Sequence, residues 1–186
     1  MKTISLLFAV LFSIIGYSQV YEVTPDGLKD KTNLENTYLV IETPDRKASD
    51  SYLNALKYIN EKYKNPDEVI KGKTENEYLR FETFVGQFMK VNNSGVKLEI
   101  SANYTTELRF RDGKVKYEIT KLDMTADNGG RNVLFKGSIW SGYPIYSKKD
   151  ELRLEETKMD LENYLNSQVN FLSNFLNGKN SEKDDW

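Results

Sequence analysis

From Val96 to Phe110 the even positions carry Val96, Leu98, Ile100, Ala102, Tyr104, Leu108 and Phe110, while the odd positions are mostly polar or charged. No helix keeps such an alternation over that length, so the stretch predicts a strand with one face on a core. Before it, odd positions carry Leu79, Phe81, Val85, Met89 and Val91, and "NNSG" at 92–95 supplies the turn between the two. If Val91 opposes Val96, Met89 meets Leu98 and Val85 meets Ala102, and all the apolar side chains share one face. The next stretch, "ELRFRDGKVKYEITKLDM", repeats the arrangement around Asp112-Gly113. A two-residue turn there pairs Phe110 with Val115, Leu108 with Tyr117 and Thr106 with Ile119. The opposite face carries Glu107, Arg109, Arg111, Lys114, Lys116 and Glu118. Its directly opposed pairs, 109 with 116 and 107 with 118, are like-charged, which a sheet tolerates only where that face is wet. The hairpin is therefore architectural. Apolar parity changes between Ile119 and Leu122, which predicts a bulge near Lys121.

Around these strands the period changes. "TYLVIET", Thr37 to Thr43, reads as a strand ended by Pro44. In "ASDSYLNALKYINEKYKNP", Tyr52, Leu56, Ile59 and Tyr63 recur at helical spacing, with Ser49 or Asp50 as the cap and Pro66 as the stop. "DEVIKGKT" reads as a short strand with Gly72 at a bulge or a point of close approach. Residues 125–150 form a long glycine-punctuated connection, in which Val133 to Trp140 is a further candidate strand. Ser147 and Asp150 resemble a capping box. Beyond them, Leu154, Leu161, Leu165, Leu172 and Leu176 run along one side of a helix of about 25 residues, roughly 38 Å long. Residues 19–36, with Pro25 and Gly27, read as a polar leader arm, and 178–186 as a polar tail. The expected fold class is α+β for a single domain over 37–177. It is a two-layer sandwich, an antiparallel meander sheet covered by one N-terminal helix and one long C-terminal helix.

Three pieces, "YLVIETPDRKASDSYLNALKYINEKY", "IKGK" and "RFRDGKVKYEITKLDM", give the chain from Thr37 to Met124 a family likeness. It resembles a secreted bacterial family, a domain of unknown function described as having a TATA-binding-protein-like (TBP-like) fold. Members often carry Trp where Tyr58 stands here. The resemblance implies TBP-like topology and export, and it implies no activity. The family name refers to sheet topology, so nucleic-acid binding does not follow from it.

The first residues agree with export. Lys2 precedes an apolar run from Ile4 to Ile15, and small residues lead to a junction between Ser18 and Gln19. This predicts a signal peptide over 1–18, cleaved between Ser18 and Gln19, with the product in the periplasm or outside the cell. The run is too short to span a bilayer, which takes about 20 apolar residues. No cysteine follows it to carry a lipid, so a lipoprotein is not expected. No transmembrane segment is expected in the mature chain.

The 186 residues include no histidine and no cysteine. Cysteine nucleophiles, serine–histidine–aspartate triads, imidazole acid–base catalysis and cysteine or histidine zinc sites are thereby excluded. A formal net charge of −2 with scattered charges gives no footprint for nucleic acid. Nor are the cations gathered on one helical face, as membrane-surface helices require. Carboxylates remain as acid–base candidates. Glu155, Glu156, Asp160 and Glu162 sit on the C-terminal helix, where they read as its solvated side beside Arg153 and Lys158. Asp123, Asp127 and Asn128 match no calcium-loop spacing and read as turn formers. The sequons at Asn92 and Asn103 are discounted, because the signal peptide reads as bacterial and Asn103 falls within a strand.

The remaining candidates are Trp140, Tyr143 and Tyr146, close together beside Gly137 and Gly142. They either line the mouth of a sheet–helix groove or plug the end of the core. The first arrangement suits a non-catalytic protein that binds a small apolar ligand or an envelope protein partner. The second suits a structural or assembly component of the envelope with no pocket. Neither needs a cofactor or a metal.

Overall fold

The computed structural model describes residues 20–93, 95–127 and 130–179. The expected cleavage junction at Ser18 and Gln19 lies outside the described residues, as do Asn128 and the tail from residue 180. The described residues form nine strands and three helices. In chain order these are β1 (Tyr21–Thr24), β2 (Gly27–Asp30), β3 (Tyr38–Glu42), α1 (Ala48–Lys62), α2 (Pro66–Val69), β4 (Ile70–Thr74), β5 (Tyr78–Asn93), β6 (Val96–Arg111), β7 (Lys114–Ala126), β8 (Asn132–Gly137), β9 (Tyr143–Ser147) and α3 (Glu155–Leu176). The fold is α+β.

The main sheet runs β4-β5-β6-β7-β8-β9, and the free edge of β7 is shared. Its first half, Lys114 to Glu118, pairs with β3, and Met124 and Thr125 pair with β8. Every pairing is antiparallel except β8 with β9, which is parallel, so the expectation of a purely antiparallel sheet is corrected there. Parallel neighbours ordinarily need a crossover of a dozen or more residues. Here residues 138–142 suffice, because glycine stands at both ends of the return. At Gly142 a Cβ would collide with the carbonyl of Asn132, and at Gly137 it would press on Leu134 and Ser141.

The Asp112-Gly113 hairpin has the expected register, with Phe110 opposite Val115 and Leu108 opposite Tyr117. Gly113 takes φ 78°, which a β-branched residue adopts badly. Thr105 pairs with Lys121 and Thr106 with Ile119, leaving Thr120 as the extra residue beside the predicted bulge. The register also shifts between Ile70 and Gly72, as expected. The β5–β6 turn differs from its expectation. Val91 opposes Leu98 rather than Val96, and Met89 opposes Ile100 rather than Leu98, while Val85 does oppose Ala102. The difference is absorbed between Val85 and Met89, where β5 spends two more residues than β6 and Gln87 turns to φ 50°.

The residues expected to form a polar arm make the β1–β2 hairpin instead, with Tyr21, Val23 and Leu28 buried. Strands of four residues are too short to show a period, and Pro25 and Gly27 punctuate the hairpin turn rather than an irregular segment. Side chains of α3 bind its edge. Tyr21 N–H donates to Asn166 Oδ1 at 2.7 Å, and Val23 N–H donates to Glu162 Oε1 at 2.8 Å.

Helix α1 is capped two residues before the first of the expected caps, Ser49. Its N-cap is Lys47, and Ala48 N–H donates to Asp112 Oδ1 of the hairpin turn at 2.8 Å. Its buried side is Tyr52, Ala55, Tyr58 and Ile59, with Leu56 and Tyr63 at the margin. The segment after Pro66 opens with the single turn α2 before β4 begins. Helix α3 starts later than expected, because Ser147 caps a turn rather than a helix. Its hydroxyl accepts N–H from Lys149 and Glu151, and Tyr146 bridges to Leu152. Leu161, Leu165, Val169, Leu172 and Leu176 are buried along α3, which packs on α1, β1, β5 and β9. At its C-terminal end, where the last carbonyls lack partners, Arg46 donates to the carbonyl of Asn177 at 2.7 Å.

Candidate functional site

Trp140, Tyr143 and Tyr146 do not converge. Tyr146, on β9, is buried and donates its hydroxyl to the carbonyl of Val23 at 2.8 Å, which ties the main sheet to the β1–β2 hairpin. Tyr143 is half-buried, with the Arg131 guanidinium 5.0 Å above its ring. Trp140 is 89% exposed and Ile139 beside it is 57% exposed. Trp140 therefore neither plugs the core nor lines the sheet–helix interface.

The turn that carries Trp140 is firmly held. Ser141 N–H and its hydroxyl both donate to the carbonyl of Ser138, at 2.9 and 2.7 Å. Arg131 donates to the carbonyl of Ile139 and, at 3.4 Å, to that of Gly142. The backbone is fixed while the two apolar side chains project. An open cleft of about 410 Å³ adjoins them, bordered by Ile139, Trp140, Lys148, Lys149, Glu151 and Arg153. A smaller cleft of about 150 Å³ shares Ile139 and Arg153 and adds Arg131, Tyr143 and Pro144. Four cations thus surround the turn, with Glu151 as the carboxylate among the cleft-lining residues. The sequence offered only the aromatic cluster and its glycines. The cations lie before and after it in the chain, and the parallel β8–β9 pairing gathers them.

Between the helices and β5–β7, buried aromatic side chains pack against one another. Tyr52 meets Phe110 edge to face at 5.5 Å, and Tyr58 meets Phe81 at 6.3 Å. Tyrosine hydroxyls there find partners, Tyr63 with Thr83 and Tyr104 with Tyr164 at 3.2 Å. Burial raises the phenols of Tyr58 and Tyr104 far above their usual range and pushes Tyr63 up to about 12. Lys62, on α1, donates to Tyr58 and to Gln168 of α3. Burial brings its ammonium down to about 8, against the ring faces of Tyr58 and Tyr63, which favour the cation.

The carboxylate candidates divide. Glu162 pairs with Lys158 and binds the β1 backbone, Glu155 stands in the first turn of α3, and Glu156 and Asp160 border one open cleft with Lys90 and Lys97. Asp123 pairs with Lys121 at 2.8 Å, and Asp127 accepts the Ser101 hydroxyl at 2.6 Å. Among the described residues no group of three or more acidic, cysteine or histidine side chains is arranged to hold a metal. On the open face of the hairpin, aromatic neighbours relieve the like-charge opposition. Arg109 lies 4.9 Å over Tyr78, Lys116 lies 4.2 Å over Tyr38, and Lys116 pairs with Glu118 at 2.7 Å.

Among the described residues no helix is long and apolar enough to cross a membrane. No protein-family model and no curated protein matches the chain. It is similar to the solved structure of a DUF4468 family protein from Bacteroides ovatus, with 12% identity and a TM-score of 0.46 over 80% of this chain and 87% of that one. It is also similar to a TBP-like protein from Parabacteroides distasonis, with 12% identity and a TM-score of 0.47 over 73% of this chain and 90% of that one.

Proposed function

We propose that the chain is an exported, non-catalytic component of the cell envelope, a two-layer α+β sandwich that works through contacts made by its surface. One observation carries this reading. Trp140, a residue type that normally supplies core or interface contact, stands 89% exposed on a hydrogen-bonded turn. A large aromatic held outward by its own backbone is the usual anchor of a binding surface. The binding of a small apolar ligand between sheet and helices finds less support, because Leu161, Leu165 and Leu172 occupy that space. Export rests on the signal-like N-terminus. The lack of catalysis rests on a sequence without histidine or cysteine and on Glu162 being engaged with Lys158 and the β1 backbone.

The test is cell fractionation of the native host carrying the wild-type or the Trp140→Ala chain. The wild type is expected with the envelope, and the variant, folded and exported to the same level, is expected in the soluble fraction. Equal retention of the two would remove the surface reading.

A further inference from the structure

The surface at Trp140 has a chemistry more specific than general stickiness. Ile139 and Trp140 project from the turn, and Leu152, 45% exposed, follows close by in the chain. Lys148, Lys149 and Arg153 border the same cleft and form no ion pair among the described residues, while Arg131 sits beneath the turn on Tyr143. Glu151 is turned back towards the Ser147 hydroxyl, and Asp150 is paired with Lys136 at 2.5 Å. This corner is cationic in a chain whose formal net charge is −2.

Taking the surface reading above as its basis, we propose that this corner docks on an anionic lipid bilayer. Trp140 and Ile139 enter the headgroup region while Lys148, Lys149 and Arg153 face lipid phosphates. Each part of the arrangement suits that occupant. The tryptophan ring, apolar with one polar edge, settles at the boundary between headgroups and hydrocarbon. A turn whose backbone is already fixed loses little further freedom on insertion. Lysines and an arginine with no ion pair among the described residues are free to meet phosphates, and they are drawn to a surface of negative potential. Protein interfaces are ordinarily depleted of lysine, whereas two lysines border this cleft. The cations missing from any single helical face are supplied here by a loop and a strand junction, which is why the helical periodicity gave no sign of them.

The chain has two tryptophans, Trp140 and Trp186, so the full chain carrying W186F reports on Trp140 alone. Its emission is followed with vesicles of phosphatidylcholine, with or without one quarter phosphatidylglycerol. The expected result is a blue shift and loss of iodide quenching with the anionic vesicles only, reversed by high salt. K148Q/K149Q is expected to lower the partition coefficient roughly 25-fold, at about five-fold for each cation removed near an anionic surface. Co-sedimentation with vesicles while Trp140 stays open to iodide overturns the proposal, since another part of the chain then makes the contact. Equal binding to neutral vesicles overturns it as well. If no vesicle binds yet Trp140→Ala still releases the chain from the envelope, the lipid partner is wrong and the surface reading stands. If Trp140→Ala releases nothing, the surface reading itself fails.

Discussion

The helix–sheet interior and the β8–β9 corner draw on the same residue types, aromatic rings beside cations, and use them in opposite ways. Inside, Tyr58, Tyr63 and Tyr104 are fixed by packing, and their hydroxyls are matched to Lys62, Thr83 and Tyr164. At the corner the backbone is what is fixed, by Arg131, Ser138 and Ser141, while Trp140 projects into solvent. An interior aromatic is committed to the fold, because removing it leaves a cavity and orphaned polar partners. An aromatic held outward commits nothing to the fold and remains available to a second molecule. Of the three clustered aromatics, Trp140 is exposed and Tyr146 is committed to the interior.

The sharpest way to break the comparison is to empty the interior. Leu165, fully buried on α3, should cost about 2–5 kcal/mol when replaced by alanine, read as a lower denaturant midpoint at constant slope. A loss under 1 kcal/mol would mean that the helix does not close the core.

Alkaline pH probes the same interior more gently. The folded-state pKa values of Tyr58, Tyr63 and Tyr104 lie above the unfolded value of about 10, chiefly through burial. Their contribution is therefore complete below pH 10 and is lost as pH rises further. For Tyr63, with its folded value at about 12, the loss is on the order of 2 kcal/mol by pH 12, and Tyr63→Phe should remove that share. Lys62 acts in the opposite direction. Its folded value, lowered to about 8, makes the charged lysine a cost to the fold at neutral pH, and that cost fades between about pH 8 and 10.5. Lys62→Met should abolish this rise, and a wild-type stability that is flat from pH 8 to 10 would contradict it.

A smaller effect is expected at the hairpin turn. Gly113→Val forces a β-branched residue to φ 78° and should destabilise by about 1 kcal/mol or more, although nothing stands within 4 Å of the added Cβ. An unchanged midpoint would show that the turn can adopt another form.

How far the sequence reached depended on length. The long strands β5 to β7 and the helices α1 and α3 were legible because each repeats its period many times, and Asp112-Gly113 set its register directly. The four-residue β1 and β2 were not, since two apolar positions make no period. The β5–β6 register was misread at its turn because the compensating bulge lies at Gly86 and Gln87, far from the "NNSG" signal. The start of α3 was misplaced because Ser147 caps a turn with the same chemistry that caps a helix. At the candidate site, Trp140 was legible as a residue worth attention. Its exposure was not, and neither was the ring of Arg131, Lys148, Lys149 and Arg153, which exists only once β8 and β9 lie parallel.

The smallest expected effect tests the central claim most directly. The denaturation midpoint of Trp140→Ala, measured beside the wild type, should change by no more than about 0.5 kcal/mol, as for a surface substitution. A loss of about 3–5 kcal/mol, the ordinary cost of truncating a buried tryptophan, would return Trp140 to the core and contradict the account.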